Sequence, residues 1–169
     1  MLRFTEDDIV KANQAWGCNC GPAALAFITD RTLEDVRPAC DGVGFDVKRY
    51  MNPTMMAEAL RFLCHRFVSL PNPLRLQLHR TVLPNPFLPS FGLVRIQLCG
   101  PWTELGANPK WAYRHTHWIA VVGANVFDVN SGECRMQVWE KEVAPAIAKS
   151  ITRANGKFFV THSWNVFQD

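Results

Sequence analysis

Residues 17–26 read Gly17-Cys18-Asn19-Cys20-Gly21-Pro22-Ala23-Ala24-Leu25-Ala26 and pass from a polar, glycine-bounded loop into an apolar run. Pro22 suits the first turn of a helix, where its missing N–H would have no partner anyway. The pattern predicts a helix over residues 21–29 with Cys20 at its threshold. A helix N-terminus offers unpaired N–H groups and partial positive charge, and both favour a thiolate over a thiol. Such surroundings lower a cysteine pKa from about 8.5 into the range of roughly 3.5–7.5. Cys20 is therefore the candidate nucleophile. Gly21 would let an acyl carbonyl approach the backbone closely.

A thiol nucleophile needs a base, and the base is found far along the chain. His117 opens the apolar run His117-Trp118-Ile119-Ala120-Val121-Val122-Gly123, which reads as a strand. His115 stands two residues earlier on the same strand face. A third group must fix the tautomer and orientation of the imidazole. With Gly123-Ala124 as a type II′ turn, Val122 pairs with Asn125 and His117 falls opposite Asn130. Partners across a strand pair lie within about 5 Å. Asp128 shares that face but falls opposite Ile119. The register thus favours Asn130 as orienter and keeps Asp128 as its rival, because a bulge would change the pairing. Gln14, on a loop expected to double back, is the candidate to share an oxyanion with the Cys20 N–H.

Gln14, five intervening residues, then Cys20-Gly21-Pro22-Ala23-Ala24-Leu25 resemble the nucleophile segment of papain-like cysteine peptidases. The likeness is nearest to the bacteriocin-leader-processing (double-glycine) peptidase domains, which carry Cys-Gly-Pro or similar after an oxyanion glutamine. The strand after His117, with its small and β-branched residues and closing glycine, is similar to the one that carries the base of that superfamily. The resemblance implies Cys20 as nucleophile and Gln14 as oxyanion donor. On the orienter it divides. Asn130-Ser131 resembles the Asn-Ser-Trp-Gly segment of papain, without its tryptophan. Phe127-Asp128-Val129-Asn130 is similar to the Phe-Asp-Pro-Asn segment of YopT-type effector proteases, where the aspartate orients, as it does in the bacteriocin-leader peptidases. Residues 31–113 match no segment of the superfamily.

The bulk properties narrow the field. The chain has 169 residues, net charge +3 and 48% hydrophobic residues, which fits one domain able to bury its own core. Its basic residues are scattered, Arg61, Arg66, Arg75 and Arg80 among them, so no nucleic-acid footprint is expected. No stretch approaches the roughly 20 apolar residues of a membrane span, and no membrane partner is expected. Residues 1–8 lack an apolar signal core. The expectation is a cytoplasmic protein, or one exported without a cleavable signal peptide. Cys18, Cys20, Cys40, Cys64, Cys99 and Cys134 show no repeating spacing and are expected as free thiols, with Cys64 and Cys99 as small core residues.

Other elements follow from caps and breakers. Thr5 with Asp8 predicts a capped helix start, and residues 13–20 read as a loop. Thr32 opens a helix ended near Pro38. Asn52-Pro53-Thr54 opens a helix through Phe67. Residues 71–89 hold five prolines and read as an ordered excursion inside one domain. Leu93–Leu98 reads as a strand, residues 101–114 as a long loop carrying Trp102, Trp111 and Tyr113, and residues 139–151 as a helix kinked or divided at Pro145. Residues 157–161 close the chain as a strand. Helices first and strands last predict an α+β, papain-like domain over residues 1–169, with a helical half packed on an antiparallel sheet.

The expected function is a cysteine hydrolase that cleaves a peptide or amide bond through a thioester, with a peptide or protein as substrate and no cofactor. Two rivals stand beside it. Cys18, Cys20, His115 and His117 have the atom types for a zinc site, although one residue between cysteines is less than structural zinc motifs use. A catalytically inactive papain-like module that only binds a partner is the other. Trp16, Trp111, Trp118 and Trp164 are candidates to wall a cleft.

Overall fold

A computed structural model describes residues 2–71, 88–108, 115–131, 134–149, 151–155 and 157–167. The chain is α+β. Helices α1 (Glu6–Trp16), α2 (Cys20–Ile28), α3 (Leu33–Gly42), α4 (Phe45–Lys48) and α5 (Pro53–Phe62) come first. Strands β1 (Phe67–Ser69), β2 (Phe91–Leu98), β3 (Thr116–Val122), β4 (Asn125–Phe127), β5 (Met136–Val138) and β6 (Phe158–Val166) follow, with α6 (Ala144–Lys149) before the last. The six strands form one sheet in the order β1-β6-β2-β3-β4-β5. Every pairing is antiparallel. Among the described residues no helix is long and apolar enough to cross a membrane.

The caps set the helices. Thr5 and Asp8 close a capping box on α1, as do Thr32 and Asp35 on α3. Asn52 caps α5 with Pro53 in its first turn. Two helices run longer than their breakers suggest. α1 continues to Trp16, so Asn13 and Gln14 lie in a helix and not in a loop; Gly17, at φ 76°, supplies its left-handed end. α3 continues through Pro38 to Gly42. Its buried face of Leu33, Val36, Ala39 and Cys40 outweighs the one hydrogen bond that the proline removes. α5 ends earlier than expected, at Phe62, and β1 follows.

Alternation along the strands gives the sheet two apolar faces. Leu93, Trp118, Ala120, Phe127 and Trp164 join Trp16, Leu25, Ile28, Val36, Met56 and Leu60 in the core between sheet and helices α1–α5. Val94, Ile96, Leu98, Ile119, Val121 and Val126 face the other way and pack with Trp139, Val143 and Ile147. The second cover is a π-helical turn (Trp139–Val143) that runs into α6, the division that Pro145 leads one to expect. The sheet is therefore covered on both sides, which explains why β2 is buried almost throughout.

The six cysteines are all free. Cys64 is exposed, not a core residue, because it takes the left-handed position (φ 64°) just past α5. Cys99 is partly exposed. The proline-rich segment 72–87 and the residues Trp111 and Tyr113 lie outside the described residues.

Candidate active site

Cys20 is the first residue of α2, and Asn19 is its N-cap. The Asn19 Oδ1 accepts from the Gly21 N–H at 3.2 Å, and its Nδ2 donates to the Arg49 carbonyl at 3.0 Å. One side chain thus fixes both the start of the helix and the loop of residues 49–52. The Arg49 guanidinium returns the tie by donating to the Trp16 carbonyl. Gly21 has a different use from the one its flexibility suggests. A Cβ there would come within 2.7 Å of the Met51 Cβ, so its smallness makes room for Met51. The Trp118 indole in turn donates to the Met51 carbonyl at 2.8 Å.

α2 packs on β3 and brings Cys20 to His117. Cys20 is partly exposed as a residue and lines a cleft of about 940 Å³ that also holds His117, Trp118 and Asn130. The hairpin forms as the turn chemistry predicts: Val122 pairs with Asn125, and Gly123 takes φ 60°. The ladder stops at Phe127, opposite Ala120. Projecting its register on to Asn130 therefore fails. Asp128 is the first residue past the strand, and residues Val129–Ser131 form a 3₁₀ turn.

That turn sets both rivals against the ring. Asp128 is 1% exposed, and its Oδ1 lies 2.6 Å from His117 Nε2. The same oxygen accepts from the Asn130 N–H at 2.9 Å. The Asn130 Nδ2 lies 3.4 Å from the other ring nitrogen, Nδ1. The two rivals thus address different sides of one ring. The buried carboxylate takes the Nε2 side with the shorter contact, so the geometry favours Asp128 over Asn130 as the partner of the ring.

The incomplete hairpin has a second effect. Residues flanking a two-residue turn exchange hydrogen bonds, and the N–H groups of every second residue then point the same way. Those of Val122, Ala120 and Trp118 all face the β4 side. Because β4 ends opposite Ala120, no strand faces the Trp118 N–H, and it acts instead on the Cys20 thiol, whose pKa it lowers.

Burial acts first on the Cys20 thiol and pushes its pKa up, but the opposing influences win. The charge and the ring of His117 and the Trp118 N–H together bring it below the ordinary thiol value, against a smaller push from Asp128. For His117 burial likewise favours the neutral ring, yet the Cys20 thiolate and Asp128 raise its pKa above the usual imidazole value. The two shifts share one cause: the charged form of each group favours the charged form of the other.

Other expected members are not gathered there. Gln14 is exposed on the body of α1 and does not line the cleft. The zinc rival fails on geometry. Cys18 is 1% exposed in the core, with burial pushing its thiol up to about 12, and the His115 ring packs on Trp102 at 3.9 Å. Among the described residues no three His, Cys, Asp or Glu side chains converge to hold a metal. Of the tryptophans, Trp118 borders the cleft while Trp16 and Trp164 fill the core. Asn19 was legible as a cap, since asparagine before an apolar run is a helix-start signal. Arg95, another cleft residue, carried a fainter signal as the lone charge in the strand Phe91–Leu98. Comparison with known proteins returns no matching family model, no matching curated protein and no matching solved structure.

Proposed function

We propose that this chain is a papain-like cysteine hydrolase that cleaves a peptide or amide bond, with Cys20 as nucleophile, His117 as acid and base, and Asp128 as orienter. The observation that carries the reading is the meeting of a helix-start thiol with an imidazole whose far nitrogen is held by a buried carboxylate. The order Cys–His–Asp along the chain, and a nucleophile helix packed on an antiparallel sheet, support the superfamily assignment.

The Cys20 sulfur attacks the scissile carbonyl carbon, and the carbonyl electrons move to oxygen. The Cys20 N–H, one of the unpaired donors at the start of α2, steadies that oxyanion. As the C–N bond breaks, His117 Nδ1 gives its proton to the leaving amine and a thioester remains. Water then attacks the thioester, His117 takes its proton, and the acid product departs from a restored thiolate–imidazolium pair. Asp128 holds the ring in the tautomer that keeps Nδ1 toward sulfur throughout. No step calls for a cofactor, and a peptide or protein is the natural substrate class.

The test is selective alkylation followed by turnover. Iodoacetamide at pH 6 should modify Cys20 ahead of the other five thiols, and a quenched peptide library should be cleaved by the wild type but not by Cys20→Ala. Alkylation of Cys20 no faster than of Cys64, together with no cleavage, would remove the hydrolase reading.

A further inference from the structure

Cys20 brings one oxyanion donor in its own N–H, but the side chain expected beside it is elsewhere. Gln14 stands exposed on α1 and does not line the cleft. An oxygen held by a single donor forgoes much of the stabilisation that a pair supplies. Chemistry restricts where a second donor can stand. The oxygen and the leaving nitrogen are different substituents of the reacting carbon, and His117 serves the nitrogen. A second donor therefore belongs on the flank of Cys20 away from that ring, where α2 begins. The Asn130 Nδ2, 3.4 Å from His117 Nδ1, stands on the flank of the base.

Tyr50, Met51, Asn52 and Pro53 line the cleft together with Cys20. Three ties hold this stretch to the start of α2 and to β3. The Arg49 carbonyl accepts from Asn19 Nδ2, and the Met51 carbonyl accepts from the Trp118 indole. Met51 also fills the space that a Cβ on Gly21 would take. A dipole that must be in place before the reaction needs a support of this kind.

Asn52 is the residue of this stretch with an oriented donor. It is the N-cap of α5, and its Oδ1 accepts from the Met55 N–H at 2.9 Å. That bond fixes the amide plane. Its Nδ2 has no hydrogen-bond partner among the described residues. Asn19, the other amide at this end of the cleft, commits both its ends to the Gly21 N–H and the Arg49 carbonyl. The Tyr50 hydroxyl belongs to a side chain that is 54% exposed, whereas Asn52 is half-buried.

We propose that Asn52 is the second oxyanion donor, its Nδ2 and the Cys20 N–H together holding the oxygen of the tetrahedral intermediate. This rests on the hydrolase reading and assigns to the cap of α5 the work that the resemblance gave to Gln14. Two helices that start at the cleft then supply one donor each, α2 through its backbone and α5 through its cap.

The experiment compares two reactions of one thiol on the whole protein. With p-nitrophenyl acetate the Cys20 sulfur bonds to the carbonyl carbon and the C=O pair moves to oxygen. That pair returns as p-nitrophenolate leaves, and acetyl-Cys20 remains. With iodoacetamide the sulfur displaces iodide at a saturated carbon, and no oxyanion forms. Asn52→Ser and Asn52→Asp both keep an oxygen to cap α5, and both lose the amide. Acylation is read as the burst of p-nitrophenolate above the Cys20→Ala background. Asn52→Ser should slow it about a hundredfold, with the alkylation rate and the urea midpoint close to those of the wild type. Asn52→Asp should slow it at least as far, and carries the comparison alone if the serine variant does not fold. A selective slowing of less than about tenfold, or equal slowing of both reactions, overturns the donor and leaves the hydrolase reading in place. A wild-type burst no larger than the Cys20→Ala background removes the hydrolase reading, and the donor with it.

Discussion

His117 Nε2 lies 2.6 Å from the Oδ1 of Asp128, and that carboxylate is almost wholly withdrawn from solvent. The bond fixes which nitrogen is left for sulfur. Asp128→Asn should therefore lower kcat by about a hundredfold or more, since an amide permits the wrong tautomer. Asn130→Ala should change it only a few-fold, because the Asn130 link to Asp128 runs through its backbone N–H. Steady-state kinetics of the two variants on one peptide decides between them. An equal loss would return Asn130 to the role.

The pH–rate profile should be bell-shaped. Activity needs thiolate and imidazolium together. The Cys20 pKa is lowered, so the acid limb, where the thiolate takes up a proton, falls below the ordinary thiol value. The His117 pKa is raised, so the alkaline limb, where the imidazolium loses its proton, falls above the ordinary imidazole value. The limbs belong to the coupled pair, not to either residue alone. Rates of kcat/KM across pH 4–11 give both limbs, and a single limb with a midpoint near that of a free thiol would contradict the ion pair.

Gln14→Ala should leave kcat/KM within a few-fold of wild type. A true oxyanion donor would cost roughly a hundredfold to a thousandfold. The exposed place of Gln14 on α1, away from the cleft lining, is the ground for this expectation.

Asn19→Ala should destabilise the fold by about 1 kcal/mol through loss of the N-cap, measurable as a shift of the urea midpoint. Asn19→Asp keeps the acceptor for the Gly21 N–H but cannot donate to the Arg49 carbonyl. It should recover the stability while leaving the loop of residues 49–52 looser, visible as faster amide exchange there.

Gly92→Ala should be harmful in a different way. A Cβ at Gly92 would lie 1.8 Å from the Trp164 carbonyl oxygen, a backbone atom that has no rotamer by which to withdraw. β2 and β6 would have to part, at about 1–3 kcal/mol or more. A thermal melt should register it plainly, and an unchanged midpoint would mean that the two strands are less tightly apposed.

The parts of the site legible in the sequence were those set by local chemistry. Pro22 marked the helix start that carries Cys20, and Gly123 fixed a turn that sets the register of Val122 with Asn125. What escaped depended on where pairing stops. Nothing in Val126-Phe127-Asp128-Val129-Asn130 says that the ladder ends at Phe127, because the 3₁₀ turn after it is held by a contact between Asp128 and Asn130 that a strand reading does not contain. The length of α1 was lost for a similar reason. Gly17, not the polar residues before it, ends that helix, and so Gln14 is carried off on its surface. The cover on the second sheet face was hidden because Trp139 and Val143 begin in a π-helical turn whose spacing differs from that of an ordinary helix.

The hairpin of β3 and β4 is shorter than its sequence neighbours would permit, and this sets robustness against reactivity. Zipping it two residues further would add backbone bonds and toughen the sheet. The same change would occupy the Trp118 amide, strip the sulfur of a donor and swing Asp128 out from under the imidazole. Selection for a hardier protein by tightening this corner would thus be expected to yield a well-folded chain with a quiet thiol.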